Sequence, residues 1–399
     1  MATIESGTSL ESATPVDAST PIITEGCYAV VRKVGGEHTR VVRLTNNTNV
    51  LIEKLRFEAE SAIGNPFGLF EVIGKRLVPA SVEDLKKRDG VEDIEMAEVG
   101  PMNGKDEIMA PSALNVDTRQ KMTAEDITEM KDGGGTAGDV VSKLVAGNAS
   151  FAGRTVYAKS KYIRRKTKKH SDRVFILRPT IRLVCEAYLR KDHDKAGSLR
   201  VDQLGQIIHL GAIHTGRKVV VFDQVLGIVT ASTVERLAGN GACIHLHRGT
   251  IAQSIPCLNS MNFKAEILST FYPVRIESVL NGCKQVEEEG KGEKDEEMNG
   301  GKTVNENMNG EHPGIVKKAE RLAREVEGLN ILVQGIETIL IATRSVCPIS
   351  ILEVLWPRLK AAGTVVVYSP TVEHCLRAQQ WIRKEGAVNV TLNDRIYQG

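Results

Sequence analysis

Residues 217–249, RKVVVFDQVLGIVTASTVERLAGNGACIHLHRG, have the rhythm of a nucleotide-binding βαβ unit. An apolar strand ends in an acid, and a turn, a helix and a second strand follow. An adenosyl cofactor such as NAD or S-adenosylmethionine sets three requirements at such a place. Glycines in the first turn let the backbone approach the ligand and take positive φ. A carboxylate at the end of the second strand grips the ribose hydroxyls. Chemistry on a base also needs an acid or amide near the end of the fourth strand. None of the three is met. Against a D-x-G-x-G-x-G pattern, Asp223 and Gly227 are kept, but Val225 and Val229 stand where glycines belong. A β-branched residue at positive φ is a steric outlier, and its methyls fill ligand space. The second strand ends in His245-Leu246-His247-Arg248 and the fourth in Ala342-Thr343-Arg344, with no acid in either. The site reads as degenerate, with no catalytic, cofactor-binding or metal-binding residue. His245 and His247 alternate on one strand face, and two such ligands without a third make a packed pair rather than a metal centre.

A different chemistry is written in KSKYIRRKTKKH, residues 159–170, which holds seven Lys or Arg and no acid. On a helix, Lys161, Arg164, Arg165, Lys168 and Lys169 fall at i, i+3, i+4, i+7 and i+8 and make one cationic stripe. Such a stripe binds polyanions through counterion release, with strong salt dependence and little sequence preference. Lys159, Lys161, Arg164, Arg165, Lys166, Lys168 and Lys169 are therefore candidate RNA phosphate contacts, and Tyr162 is a candidate base-stacking residue. A solvated helix face and a nuclear-import signal use the same charges. Arg344 stands at a strand end where an active enzyme of this kind needs an acid, and a guanidinium there suits a phosphate. Arg383, Lys384, Arg119, Lys121 and Arg190 complete the candidate RNA contacts.

The elements that must position these residues divide the chain of 399 residues into several parts. Residues 1–24, rich in Ser, Thr, Ala and Pro, read as a disordered N-terminus without the apolar stretch of a signal peptide. Residues 25–79 carry short β-rich runs near 27–34, 39–45, 49–56 and 68–73, expected to form a small antiparallel β-barrel or sheet. Residues 80–112 are an acidic surface insertion. Residues 113–171 are helical and end in the basic stripe. Thr123 with Asp126, and Thr136 with Asp139, are capping patterns that start helices. Val140, Val141, Leu144 and Val145 form one apolar face.

Residues 172–399 alternate strands with helices, which predicts an open α/β sheet with crossover connections. Its strands are expected at KVVVF, ACIHLH, RIESVL, TILIAT, TVVVYS and VNVTL, with helices at IAQSIPCLNSMNF and ISILEVLWPRLKAAG. Residues 284–313, with nine acids and four bases, interrupt it as a flexible insertion. Seven cysteines in no ligand or disulfide spacing point to a reducing compartment. No run approaches the length of a membrane span.

The segments TAEDITEMK, KYIRRKTKKH, LRPTIRLVCEAYLRK, LRVDQLGQIIHLGAIHTGRKVVVFDQVLGIVTASTVERL and ILIATRSVCPISILEVL carry a family resemblance, with NPFGLFEV adding the N-terminal module. The chain resembles the non-catalytic subunits of the eukaryotic tRNA adenine-N1 methyltransferase, which acts on the T-loop adenine at tRNA position 58. The resemblance implies an α/β, Rossmann-like class I methyltransferase fold with a degenerate cofactor site that holds no S-adenosylmethionine, beside the small N-terminal β-barrel. It also implies a tRNA-binding role, a homologous catalytic partner that carries the cofactor, a heterotetramer of two such pairs, and a nuclear location. It further implies a glycine-rich continuation beyond NDRIYQG that completes the sheet edge. Two other readings stay open: a divergent active methyltransferase, and a scaffold without direct RNA contact.

Overall fold

The structure is a computed structural model that describes residues 21–36, 38–53, 55–80, 122–132, 137–148, 151, 155–170, 172–249, 255–281 and 313–394. Most of the N-terminal stretch and of the two acidic insertions lies outside the described residues, as do Arg119, Lys121 and Thr136. The chain divides into two compact units, one running to Arg178 and the other from Pro179, with Tyr28–Val30 and His38–Val41 grouped with the second.

The N-terminal strands are β1 (Tyr28–Lys33) and β2 (Thr39–Arg43), each divided between the two units, and β3 (Asn49–Ile52), β4 (Leu55–Glu58), β5 (Gly68–Ile73), β6 (Arg76–Pro79) and β7 (Arg173–Leu177) of the first unit. Five of them form a sheet in the order β2-β1-β7-β5-β6, and β3 and β4 form a separate antiparallel hairpin. Among the described residues these pairings give a five-stranded sheet and a separate hairpin, which fits the small β module expected from sequence. The strand Arg173–Leu177 pairs antiparallel with β5, Leu69 opposite Phe175 and Phe70 opposite Val174. This stretch, placed by sequence at the head of the second domain, thus belongs to the first unit's sheet. Its signal is ambiguous because RVFIL is a short apolar run that fits either sheet. Phe57, Phe70, Val174 and Ile176 lie in the core of this unit.

Three helices follow β6 in the first unit: α1 (Ala124–Asp132), α2 (Ala137–Ala146) and α3 (Val156–His170). The expected capping box opens α1. The Thr123 amide donates to Asp126 Oδ2 at 2.8 Å, and the Asp126 amide donates to Thr123 Oγ1 at 3.2 Å. Those bonds hold the exposed Asp126 carboxyl below its ordinary range. Val140, Val141 and Leu144 bury the apolar face of α2.

The second unit holds α4 (Ile181–Lys191), α5 (Val201–Leu210), β8 (Lys218–Asp223), α6 (Ile228–Leu237) and β9 (Ala242–His247). Then come α7 (Pro256–Asn259), α8 (Ala265–Leu268), β10 (Phe271–Arg275), α9 (Ile276–Asn281) and α10 (Pro313–Val333). β11 (Ile336–Ala342), α11 (Pro348–Leu355), β12 (Leu359–Tyr368) and α12 (Val372–Lys384) complete it. The sheet runs β10-β9-β8-β11-β12 with every pairing parallel. Strand order reverses between β8 and β11, which is the Rossmann-like methyltransferase arrangement and creates a topological switch point there. β8, β9 and β11 are buried almost throughout, which is why their sequences are continuous apolar runs. Among the described residues no helix is long and apolar enough to cross a membrane.

Four local expectations differ from this structure. RIESVL is not a strand: the strand is Phe271–Arg275, and Ile276–Asn281 is a helix burying Ser278 and Val279. Pro273 is tolerated because β10 is an edge strand. IAQSIPCLNSMNF holds only the short helix Pro256–Asn259 among its described residues. LKAAG continues no helix and instead begins β12, where Ala362 takes φ 60° and the register with β11 shifts, the mark of a bulge. VNVTL, residues 388–392, forms no strand.

Candidate functional site

The first turn of the second unit is organised by one carboxylate. Asp223, at the end of β8, is 6% exposed. Its Oδ1 accepts from the Val225 amide at 2.8 Å and the Gly227 amide at 3.1 Å. Its Oδ2 accepts from the Thr230 amide at 3.0 Å and the Thr230 hydroxyl at 3.1 Å. Burial pushes the Asp223 carboxyl above its ordinary range, and the four hydrogen bonds oppose that shift. The Thr230 hydroxyl gives its proton to Asp223, so His245 donates from Nδ1 to Thr230 Oγ1 across 3.0 Å. Burial, with a smaller contribution from His247, pulls the His245 imidazole down to about 3 and keeps it neutral. His247 rests on the Arg248 carbonyl through Nδ1 at 3.4 Å. Among the described residues no three His, Cys, Asp or Glu side chains gather to hold a metal.

The turn is filled by means the sequence reading only partly anticipates. The positive-φ residues are Leu226, at 63°, and Gly227, at 77°. Val225 and Val229 have ordinary backbone and act by bulk, both at 0% exposure. The Val225 Cγ1 atom stands 2.5 Å from where a Cβ on Gly197 would lie, so Gly197 is required for this packing. Ile255 covers Gly227 in the same way, its Cβ 2.7 Å from the place of a side chain there. The Cys257 amide donates to the Leu226 carbonyl at 3.1 Å and ties the segment after β9 onto the turn.

The switch point is bridged as well. The Gln224 amide donates to the Ala342 carbonyl at 2.8 Å, and its side-chain Oε1 accepts from the amides of Arg344 at 3.0 Å and Ser345 at 3.3 Å. One side-chain amide thus staples the carboxyl ends of β8 and β11. Arg344 adds a second clamp, with Nε on the Gln224 carbonyl at 3.1 Å and Nη1 on the Asp194 carbonyl at 2.9 Å. The Tyr368 hydroxyl donates to the Gly197 carbonyl at 2.8 Å. Gln224 and Ile255 were not singled out from sequence. The position of Gln224, directly after the strand-ending acid, is the one signal that could have drawn attention to it.

The cationic stripe is a single helix, α3, of 15 residues without an acid. Phe151 and Tyr162 pack with ring centroids 5.5 Å apart. Lys159 lies over Phe151 at 6.0 Å, and Lys166 lies over Tyr162 at 5.5 Å. Tyr162 is therefore half-buried in an aromatic and cationic contact of its own chain. Lys161 and Arg165 are exposed, and Arg164, Lys168 and Lys169 lie on the same helix. The remaining candidates are scattered in the second unit. Arg190 donates to Thr39 Oγ1 at 3.4 Å. Arg344 has two guanidinium nitrogens committed to carbonyls, which leaves less of it for the bidentate phosphate contact expected from sequence. Arg383, exposed, donates to the Val390 carbonyl at 3.3 Å, and Lys384 follows it in the last turn of α12.

Comparison with known proteins bears on both surfaces. The model of the Gcd10p family matches residues 22–309. The chain belongs to the Gcd10p family. A relative of this Gcd10p-family chain in Dictyostelium discoideum is 29% identical over 94% of this chain and 73% of its own length. One in Mus musculus is 28% identical over 65% of this chain and 50% of its own. Both relatives are named tRNA (adenine(58)-N(1))-methyltransferase non-catalytic subunit. The chain thus spans about three quarters of the first and half of the second. Among solved structures, a tRNA (m1A58) methyltransferase from Aquifex aeolicus superposes with a TM-score of 0.39 and 10% identity, over 91% of this chain and 83% of that one. At that level the superposition fixes no residue correspondence, and the fold of the Gcd10p-family chain rests on its strand order.

Proposed function

We propose that this chain is the non-catalytic, tRNA-binding subunit of a tRNA (adenine-58-N1) methyltransferase, acting with a homologous catalytic subunit that binds S-adenosylmethionine. The observation that carries the reading is the filled switch point. Val225 and Ile255 occupy the first turn, Gln224 bridges β8 to β11, and β9 ends in His247 where a ribose would need a carboxylate. Residues arranged so do not fit an adenosyl group, and the methyl donor falls to the partner. Membership of the Gcd10p family and the names of the relatives support the same reading. The cations of α3 supply a surface for the phosphates of tRNA. We further propose a nuclear location and an assembly of two such pairs, on the strength of the family resemblance.

The test is co-expression with the catalytic homologue, followed by methylation of a tRNA transcript by each subunit alone and by both. Activity is expected only from the pair. Methylation by this chain alone, or calorimetric binding of S-adenosylmethionine to it, would favour a divergent enzyme instead. An active pair in which tRNA crosslinks to nothing in residues 156–170 would favour a scaffold that contacts no RNA.

A further inference from the structure

We propose that Tyr157 is a base-stacking residue of this chain, lying against an unpaired nucleobase while Lys161 and Arg165 hold the neighbouring phosphates. The proposal rests on the RNA-binding reading of α3 given above and concerns what that surface grips. Two rows of residues run along the helix. Lys159, Tyr162 and Lys166, at i, i+3 and i+7, are the row engaged with Phe151 and with one another. Tyr157, Lys161 and Arg165, at i, i+4 and i+8, form a row in which all three are exposed. Tyr157 is 77% exposed, unlike Tyr162, whose ring is half-buried.

An exposed tyrosine ring offers a stacking face, and its neighbours say what that face suits. The row continues from Tyr157 into cations, and no acid lies anywhere on α3. Protein interfaces are depleted of charge at their cores, whereas surfaces for single-stranded or looped RNA pair stacking aromatics with a positive track. A base on the ring and phosphates on Lys161 and Arg165 satisfy the whole row at once. Val156, 78% exposed beside Tyr157, adds apolar surface at the edge of the stack.

The test uses the full complex with its catalytic subunit and an unmodified tRNA transcript, with Kd measured across a salt series. Y157A is expected to weaken binding roughly five- to hundredfold at every salt concentration, with the slope against salt unchanged, because stacking releases no counterions. Y157F and Y157W are expected to bind like the parent. K161A and R165A are each expected to reduce the slope by about 0.8. Y157A binding like the parent would overturn the proposal, as would a loss shared by Y157F, which would point to the hydroxyl. Failure of the catalytic subunit to co-purify with Y157A would make Tyr157 a protein contact and would also overturn it. If K161A and R165A left both affinity and slope unchanged, the RNA reading of α3 would itself fall.

Discussion

In the turn after β8 the polar groups point inward, whereas on α3 Lys161 and Arg165 face water. Asp223 satisfies three backbone amides and a hydroxyl out of reach of water, while Lys161 and Arg165 stand in it. The first region retains the acid-turn-helix layout of a ligand site and uses it for internal bonding. The second has no layout beyond a helix and depends on the number and sign of its charges. Buried hydrogen bonds are costly to break, and exposed charges are cheap to remove in stability but costly in binding to a polyanion. A site of the first kind is lost by being filled. A surface of the second kind needs only a charged row and a fold to carry it.

The contrast breaks most sharply at Asp223. Asp223→Ala leaves the amides of Val225, Gly227 and Thr230 buried without their acceptor, and is expected to cost about 3–5 kcal/mol of stability by denaturant unfolding. An exposed cation on α3 changed to Ala is expected to cost about 0.5 kcal/mol or less in the same measurement.

A smaller effect follows from His245. Its folded-state pKa of about 3 lies below the ordinary 6.5, so the unfolded chain takes up a proton that the folded chain refuses. The stability it contributes is complete above pH 6.5 and falls by about 1.4 kcal/mol per pH unit down to about pH 3. His245→Asn, whose amide can still donate to Thr230, removes that dependence. The check is the difference between parent and variant in denaturant midpoint at pH 7.5 and pH 5.

The smallest effect sharpens the comparison inside α3 itself. Lys166→Ala is expected to lose about 0.5 kcal/mol of cation–π stabilisation over Tyr162 and to lower the salt slope of tRNA binding only slightly. Lys161→Ala is expected to do the reverse, with unchanged unfolding and a slope lower by about 0.8. Equal slopes for the two variants would mean that the aromatic contact does not separate the two rows.

The parallel sheet was legible because β8, β9 and β11 are buried almost throughout and therefore read as mostly apolar runs. Its edges were not. LKAAG looks like the end of a helix closed by glycine, and only the bulge at Ala362 against β11 shows that it starts a strand. VNVTL has the composition of a strand but pairs with no strand among the described residues, which composition does not report. The loss of glycines from the first turn was readable, but its mechanism was not. The residues in left-handed backbone are Leu226 and Gly227, so the valines act by volume rather than by strain. The basic segment was plain from charge alone, and its stripe followed only on the condition that it is helical. Which aromatic faces water was not, because Phe151, the residue that engages Tyr162, lies outside the helix that carries the charges.

The clamp at Arg344 also bears on the order in which this unit assembles. The guanidinium reaches a carbonyl 150 residues earlier, at Asp194, and the Tyr368 hydroxyl reaches Gly197 across 171 residues. The loop between α4 and α5 is already tied by local bonds such as that from the Ser198 amide to the His193 carbonyl. It gains these two long-range anchors only once β11 and β12 have joined the sheet, a slow closure because of its sequence separation. During synthesis that loop emerges long before these two anchors, and a fragment ending short of β11 is expected to be cut by protease within residues 192–198 faster than the whole chain.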